Sequence, residues 1–265
     1  MTPRLVATDL DGTLIRSDGT VSTATQELLA TLDGRGVPVV FVTARPLRWM
    51  DDLWPMVGRH GMAIVSNGAI LYDVAAGRAR DVTGIDAEAG AALREVIGAA
   101  VPGVAFAIEC LSGIRRDPTY VEPHDVPDGS PVGPLEELWD EPAVKLLVRH
   151  PGMDPDALRE QVVAAVGDRA VATWSVPGLV EISAPGITKA ARLVQVADEL
   201  GVDAADVVAF GDMPNDLPML EWAGTSYAMA NADPTVLAAA THVAPANDDD
   251  GVAVVLGELF GIAVR

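Results

Sequence analysis

Residues 4–13 read Arg-Leu-Val-Ala-Thr-Asp-Leu-Asp-Gly-Thr. Arg4–Thr8 (RLVAT) is a short apolar run that ends at once in an acidic loop. Apolar residues without alternation, stopped by polar residues, predict a strand buried on both faces. Two similar runs follow. Val37–Val42 (VPVVFV) ends in Thr43-Ala44-Arg45, and Ala63–Val65 (AIV) ends in Ser66-Asn67-Gly68. Helices are expected between them. The first is capped by Ser22 or Thr23, with Gln26 completing a capping box to Thr23, and runs to Leu32. The second is expected over Pro46–Val57. The Asp18-Gly19 turn signal predicts a small flap hairpin over Leu14–Val21. Strands alternating with helices in this way argue for a parallel sheet covered on both sides.

The pattern changes near Gly84. A helix is expected over Asp86–Ala100, and longer strands over Val104–Cys110 and Val144–His150, the latter partly alternating. Between those strands, Pro118–Pro134 holds five prolines and reads as a loop. Another helix (Pro155–Val166) and two strands (Val171–Ser175, Leu179–Ser183) complete an α+β unit. From Gly186 the first style returns: a helix over Thr188–Leu200, a strand Val207–Phe210 (VVAF) running into Gly211-Asp212, a helix Leu217–Trp222, and short strands Ser226–Ala230 and His242–Ala244. The expected fold is therefore α/β, a Rossmann-like doubly wound parallel sheet with an inserted α+β cap. The core is expected over 1–82 and 187–265, and the cap over 83–186.

Composition narrows the function. The chain has 265 residues, 49% of them hydrophobic, with 18 basic and 38 acidic side chains and a formal charge of −20. That length fits about two domains, and the hydrophobic share excludes a disordered chain. The only cysteine, Cys110, excludes an internal disulfide and cysteine-based metal sites. The apolar run Val96–Ile108 is broken by Pro102 and is too short to span a bilayer, and Asp9 and Asp11 are incompatible with a secretory signal. A soluble, cytoplasmic protein is expected. Its charge repels phosphate backbones, so nucleic acid and anionic membranes are poor partners. A small anionic substrate would need a cation or well-placed basic groups, and Lys145 and Lys189 are the only lysines. His60, His124, His150 and His242 show no metal-ligand spacing. Signatures of serine hydrolases, dinucleotide-binding dehydrogenases and P-loop nucleotidases are absent from the sequence.

Asp-x-Asp occurs three times, at 9/11, 154/156 and 248/250. The second opens a helix, where acids complement the dipole, and the third lies in an acidic loop read as solvated. Only Asp9/Asp11 follows a buried strand, the edge at which open parallel sheets bind ligands. The other strands of the same sheet end in Thr43, in Ser66-Asn67, and in Asp212 with Asn215 and Asp216. Lys189 opens the helix leading to the last of these. All these groups can converge along one sheet edge. Clustered carboxylate oxygens favour a hard cation, and Mg²⁺ suits them better than zinc.

DLDGT (9–13), the threonine of VTAR (42–45), Lys189 and GDMPND (211–216) resemble, in order, the four motifs of the haloacid dehalogenase (HAD) superfamily of phosphohydrolases. SNGA (66–69), MANA (229–232), NDDDGVA (247–253) and the position of the insertion resemble its Cof-type branch with a type IIB cap. The resemblance covers essentially the whole chain. It implies a Mg²⁺-dependent phosphatase acting on a small phosphorylated metabolite such as a sugar phosphate. Asp9 would be the nucleophile, forming an aspartyl-phosphate, and Asp11 the general acid and then base. Mg²⁺ would be held by Asp9, the Asp11 carbonyl and Asp212, with Asp216 a direct ligand or a partner of its waters. Thr43 and Asn215 would bind phosphoryl oxygens, Lys189 would offset negative charge, and Asn67 and Arg45 would lie near the substrate. The sequence departs from the usual pattern at Ala44, where glycine is common, and at Pro214, which has no N–H. A phosphotransferase or phosphomutase using the same intermediate, and a non-catalytic phosphometabolite-binding protein, remain alternatives. Arg115, Arg116, Glu136, Lys145 and Glu181 are candidates for the cap's selecting residues.

Overall fold

The computed structural model describes residues 2–264. Eight strands form the larger sheet: β1 (Leu5–Thr8), β2 (Val39–Val42), β3 (Met62–Val65), β4 (Ile70–Asp73) and β5 (Arg78–Val82) from the first part of the chain, and β11 (Val207–Gly211), β12 (Thr225–Met229) and β13 (His242–Ala244) from the last. The order β13-β12-β11-β1-β2-β3-β4-β5 is parallel from β13 to β3, and β4 and β5 run antiparallel at the edge. β1 lies between β11 and β2, so the chain winds outward from it in both directions. The crevice beside β1 is thus the switch point of a doubly wound sheet. The expected α/β fold is present.

Local chemistry explains these elements. Every residue of β1, β2 and β3 is buried, as the unbroken apolar runs require. Helices Thr23–Gly34 and Gly251–Phe260 pack on each other, and Lys189–Leu200, Leu217–Trp222 and Pro234–Ala239 form a second group. Phe41 and Phe210, on the two strands flanking β1, are fully buried in the resulting core. Full burial of such a side chain contributes about 1.5–3 kcal/mol.

Between β5 and β11 the chain builds a second, antiparallel sheet: β6 (Ala105–Cys110), β7 (Gly113–Arg116), β8 (Ala143–Arg149), β9 (Val171–Thr173) and β10 (Val180–Ser183), in the order β7-β6-β8-β10-β9. Helices Ala87–Ala100 and Pro155–Val166 share a hydrophobic cluster with it, through Leu93, Ile97, Leu158 and Val162. Asp86 and Asp154 cap those helices by accepting backbone N–H bonds. No described helix is long and apolar enough to cross a membrane.

Four local expectations are corrected. Pro46–Val57 is not an α-helix but two 3₁₀ segments, Leu47–Trp49 and Asp51–Met56, because Pro55 interrupts any regular ladder. Leu14–Val21 is not a hairpin. It is a turn closed by Arg16 N–H to Thr20 O and pinned by a bidentate Arg16–Asp250 pair and by Ser17 donating to Asp248. The acidic loop at 248–250 is therefore an anchor for that turn. The first helix starts on Ser22, which accepts from Thr25 N–H, and Gln26 donates to Val21 O in place of a capping box.

Cys110 ends β6 inside the second sheet. Burial pushes its thiol up to about 12. At pH 8 the native protein is therefore expected to react with a thiol reagent at least about a hundredfold more slowly than denatured protein. A colorimetric thiol assay with and without denaturant checks this.

Candidate active site

The carboxyl ends of β1 and β11 bring the acidic groups together. Thr8 lies beside Phe210, and Asp9 N–H donates to Phe210 O at 3.0 Å, so Asp9 and Asp212 leave neighbouring strands side by side. Lys189 Nζ lies 2.8 Å from Asp9 Oδ1 and 2.6 Å from Asp216 Oδ1. Asp216 Oδ2 accepts the backbone N–H groups of Asp212 and Met213, both at 3.1 Å. Asp212 Oδ1 accepts from Thr13 Oγ1 at 2.9 Å. Gly12, at φ +73°, is required here because a Cβ would stand 2.3 Å from Asp212 Oδ2.

Asp9, Asp212 and Asp216 each offer an oxygen within 4.8 Å of the others, and all three are buried. One lysine contacts this trio, leaving excess negative charge away from water. Burial, then the charge of Asp216, pushes Asp212 up to about 7. Burial also raises Asp9 well above the usual carboxylate range, against the pull of Lys189. For Lys189 burial disfavours the charge, but Asp216 and Asp9 outweigh it and hold the ammonium above its ordinary value. An all-oxygen donor set with unneutralised charge fits a hard divalent cation.

Asp11 does not join the trio. Its side chain is 60% exposed and is gripped bidentately by Arg45, at 2.7 and 2.6 Å. Thr43 is buried, and its hydroxyl accepts Arg45 N–H at 2.9 Å. Asn67 takes positive φ (57°), as does Ser66 (53°). Such strain is held where the surroundings dictate it. Here Asn67 N–H donates to Thr43 O, and Gly68 (φ +98°) lies so close to Thr188 that a Cβ would meet its carbonyl oxygen at 2.3 Å. The SNG turn, the β2 end and the start of the Lys189 helix are thereby locked together. Asn215 Nδ2 donates to Asn67 Oδ1 at 3.1 Å.

The second sheet covers this edge and leaves a cavity of about 750 Å³. Three links join the layers. Arg48 grips Glu109 at 3.0 and 3.2 Å, Lys145 donates to Ala44 O, and Asn67 Nδ2 donates to Thr173 Oγ1 and Glu181 Oε2 at 3.2 and 3.3 Å. Of the sequence candidates on the inserted unit, Lys145 and Glu181 line the cavity. Arg115, Arg116 and Glu136 do not: Arg115 binds Asp140 and Glu141, and Glu136 pairs with Arg94. β7, which carries Arg115 and Arg116, is the sheet's edge strand, away from the cleft. Sequence reasoning missed Arg48, Trp49, Glu109, His124 and Arg149, all of which line the cavity. The partial alternation in β8 was the available signal, since Lys145, Leu147 and Arg149 share one face. In all, seven carboxylates and four cations (Arg45, Arg48, Lys145, Arg149) line it.

In the metal-free protein, Asp212 binds a proton that the unfolded chain, titrating near 3.8, releases. Stability is therefore expected to fall as pH rises from about 4 to about 7. Melting curves in EDTA across that window should show the fall, Asp212→Asn should flatten it, and saturating Mg²⁺ should abolish it. A wild-type curve in EDTA that is flat or rising would contradict this electrostatic reading.

Comparisons with known proteins place the chain in a family. The haloacid dehalogenase-like hydrolase family matches residues 6–256. The 5-amino-6-(5-phospho-D-ribitylamino)uracil phosphatase YitU of Bacillus subtilis is 31% identical, covering 98% of each chain. The HMP-PP phosphatase of Cronobacter sakazakii is also 31% identical, over 91% of this chain and 89% of its own. Among solved structures, the HAD-superfamily phosphatase BT1666 of Bacteroides thetaiotaomicron superposes with a TM-score of 0.83 at 26% identity, covering 99% of this chain and 96% of that one. The chain belongs to the haloacid dehalogenase-like hydrolases, as a Cof-type phosphohydrolase of phosphoric monoesters.

Proposed function

We propose that the protein is a Mg²⁺-dependent phosphatase of a small, hydroxylated phosphate monoester, of the sugar- or polyol-phosphate class, working through an aspartyl-phosphate on Asp9. The observation that carries this is the buried trio Asp9, Asp212 and Asp216 around Lys189, at the switch point of the sheet and open to the covered cleft. The ribityl phosphate named for the Bacillus relative supports the substrate class.

In this reading the core spans 1–82 and 187–265 and the cap 83–186, and the protein works in the cytoplasm. Asp9, Asp212 and Asp216, with the Asp11 carbonyl, would hold Mg²⁺, which when bound neutralises charge on the trio and on the phosphoryl oxygens. Asp9 attacks phosphorus, the new O–P bond forms, and the ester P–O bond breaks. Asp11, released from Arg45, takes a proton from solvent and gives it to the leaving oxygen. It then takes a proton from the water that attacks phosphorus, breaks the bond to Asp9 and releases inorganic phosphate. Lys189 orients Asp9 and opposes the burial that raises it, and the cation would complete its ionisation. Thr43 and Asn215 donate to the phosphoryl oxygens, and Asn67 fixes Asn215. Arg45 receives the substrate beside Asp11.

The test is phosphate release from sugar phosphates, polyol phosphates, pyridoxal phosphate and p-nitrophenyl phosphate. Mg²⁺ should support turnover and EDTA should end it. Asp9→Asn should lose at least about 10⁴-fold in kcat, as removal of a nucleophile does, while still showing a Mg²⁺-dependent melting shift. Turnover undiminished by EDTA, or retained in Asp9→Asn, would overturn the reading. Release of phosphoryl groups to an added sugar in place of water would redirect it to a transferase.

A further inference from the structure

Of the two lysines, Lys145 lines the cleft and Lys189 lies buried against Asp9 at its floor. Lys189 is absorbed by the acidic trio, but Lys145 is not part of it. Its side chain is 97% buried, on the face of β8 turned toward the core. Its ammonium donates to Glu181 Oε1 and to the carbonyl of Ala44. An ammonium has three protons, and among the described residues the third has no acceptor. Ala44 stands between Thr43 and Arg45, and all three line the same cavity as Lys145. Arg45 holds Asp11, so in the phosphatase reading this is the leaving-group side of the site. Glu181 is itself satisfied, by Lys145, Asn67 and Ser175, so the pair is rigid and does not need substrate to complete it.

We propose that Lys145, fixed by Glu181 and the Ala44 carbonyl, is a specificity-determining residue that donates its third N–H to a neutral oxygen on the carbon next to the phosphoester. The inference rests on the phosphatase reading above and names the feature by which that site chooses its alcohol. The ligand oxygen is neutral for an electrostatic reason. Lys145 is already compensated by Glu181, and Glu109 lies directly opposite it on β6. With seven carboxylates against four cations around the cavity, a second anionic group on the substrate meets net repulsion. A hydroxyl accepts from Lys145 without adding charge. Leu147 follows Lys145 on the same face of β8 and separates it from Arg149, so the reading by Lys145 is confined to the atoms next to the ester.

The test uses matched esters that differ in one oxygen: 2-hydroxybutyl phosphate and n-butyl phosphate, with 2-phosphoglycolate as the anionic counterpart and p-nitrophenyl phosphate as a reporter of turnover. For the wild type, kcat/KM for the hydroxy ester should exceed that for the butyl ester by about 10- to 150-fold, the range of a hydrogen bond to a charged group. It should also exceed that for phosphoglycolate. In Lys145→Met/Glu181→Gln, which removes both charges together and leaves neither buried alone, the ratio should fall to within about threefold of unity. Lys145→Arg keeps the charge opposite Glu181 and displaces the donor, and should cut the ratio at least about tenfold. Mg²⁺-dependent melting shifts verify that each variant is folded.

A wild-type ratio near one overturns the proposal, as does a ratio retained in a folded variant, a preference for phosphoglycolate, or metal-dependent turnover of p-nitrophenyl phosphate with none of either butyl ester. Each of these leaves the phosphatase reading standing. Absence of metal-dependent release from every ester removes that reading, and this one with it.

Discussion

A single ammonium, that of Lys189, holds the active edge of this protein together. It lies at the first turn of its helix, the end at which the helix dipole disfavours a cation, and is almost wholly removed from water. A lysine so placed is stable only because Asp9 and Asp216 contact it directly. The dependence is mutual, since three buried carboxylates with no cation would all be driven to take up protons. The sheet makes the arrangement affordable. β1 and β11 are adjacent and parallel, so the acids at their ends are set side by side by backbone hydrogen bonds before any side chain chooses a rotamer. The geometry of the ends is then secured by small residues. Gly12 makes room for Asp212, and Gly68 lets the SNG turn press on the start of the lysine's helix.

The links between core and cap are of two kinds. Arg48–Glu109 is a charged pair that crosses between them. Its bidentate bonds are largely shielded from solvent, and burial already raises Glu109 against the pull of Arg48. The others are hydrogen bonds: Lys145 reaches the carbonyl of Ala44, and Asn67 reaches Thr173 and Glu181. Lys145 is held both by Glu181 within its own sheet and by the core, so a ligand that it contacts meets a group already ordered.

What was legible in the sequence follows from this division. The ends of parallel strands share one edge, so Asp9, Thr43, Asn67 and Asp212 could be gathered from strand order alone, without distances. Lys189 and Asp216 were recognisable because the motif fixes their places around those strands. The cap was legible as an α+β insertion but not as a surface. Strand residues alternate between two faces, and nothing in the sequence says which face of β8 meets the core. Lys145 and Arg115 were therefore equivalent on paper, yet Lys145 lies on a central strand over the cleft and Arg115 on the edge strand, held by Asp140 and Glu141. β4 and β5 were missed for a related reason. They are short antiparallel strands at the margin of the sheet, and β5 alternates only between exposed and half-buried residues.

The net charge of −20 is at odds with a phosphate substrate only if charge is treated as a bulk property. At physiological ionic strength, surface charges are screened over about 8 Å, so most of the 38 acidic residues act weakly at the crevice. What the substrate meets are groups within a few ångströms: the lysine and the cation that the acidic trio calls for on one side, and the guanidinium of Arg45 on the other. These can outweigh the carboxylates next to the phosphoryl group but not those around the whole cavity. The positive potential is therefore local to the phosphorus and falls away along the leaving group. On the proposed reading, an acidic protein with this site would attract one phosphate and repel a second negative charge, a choice made before any shape is read.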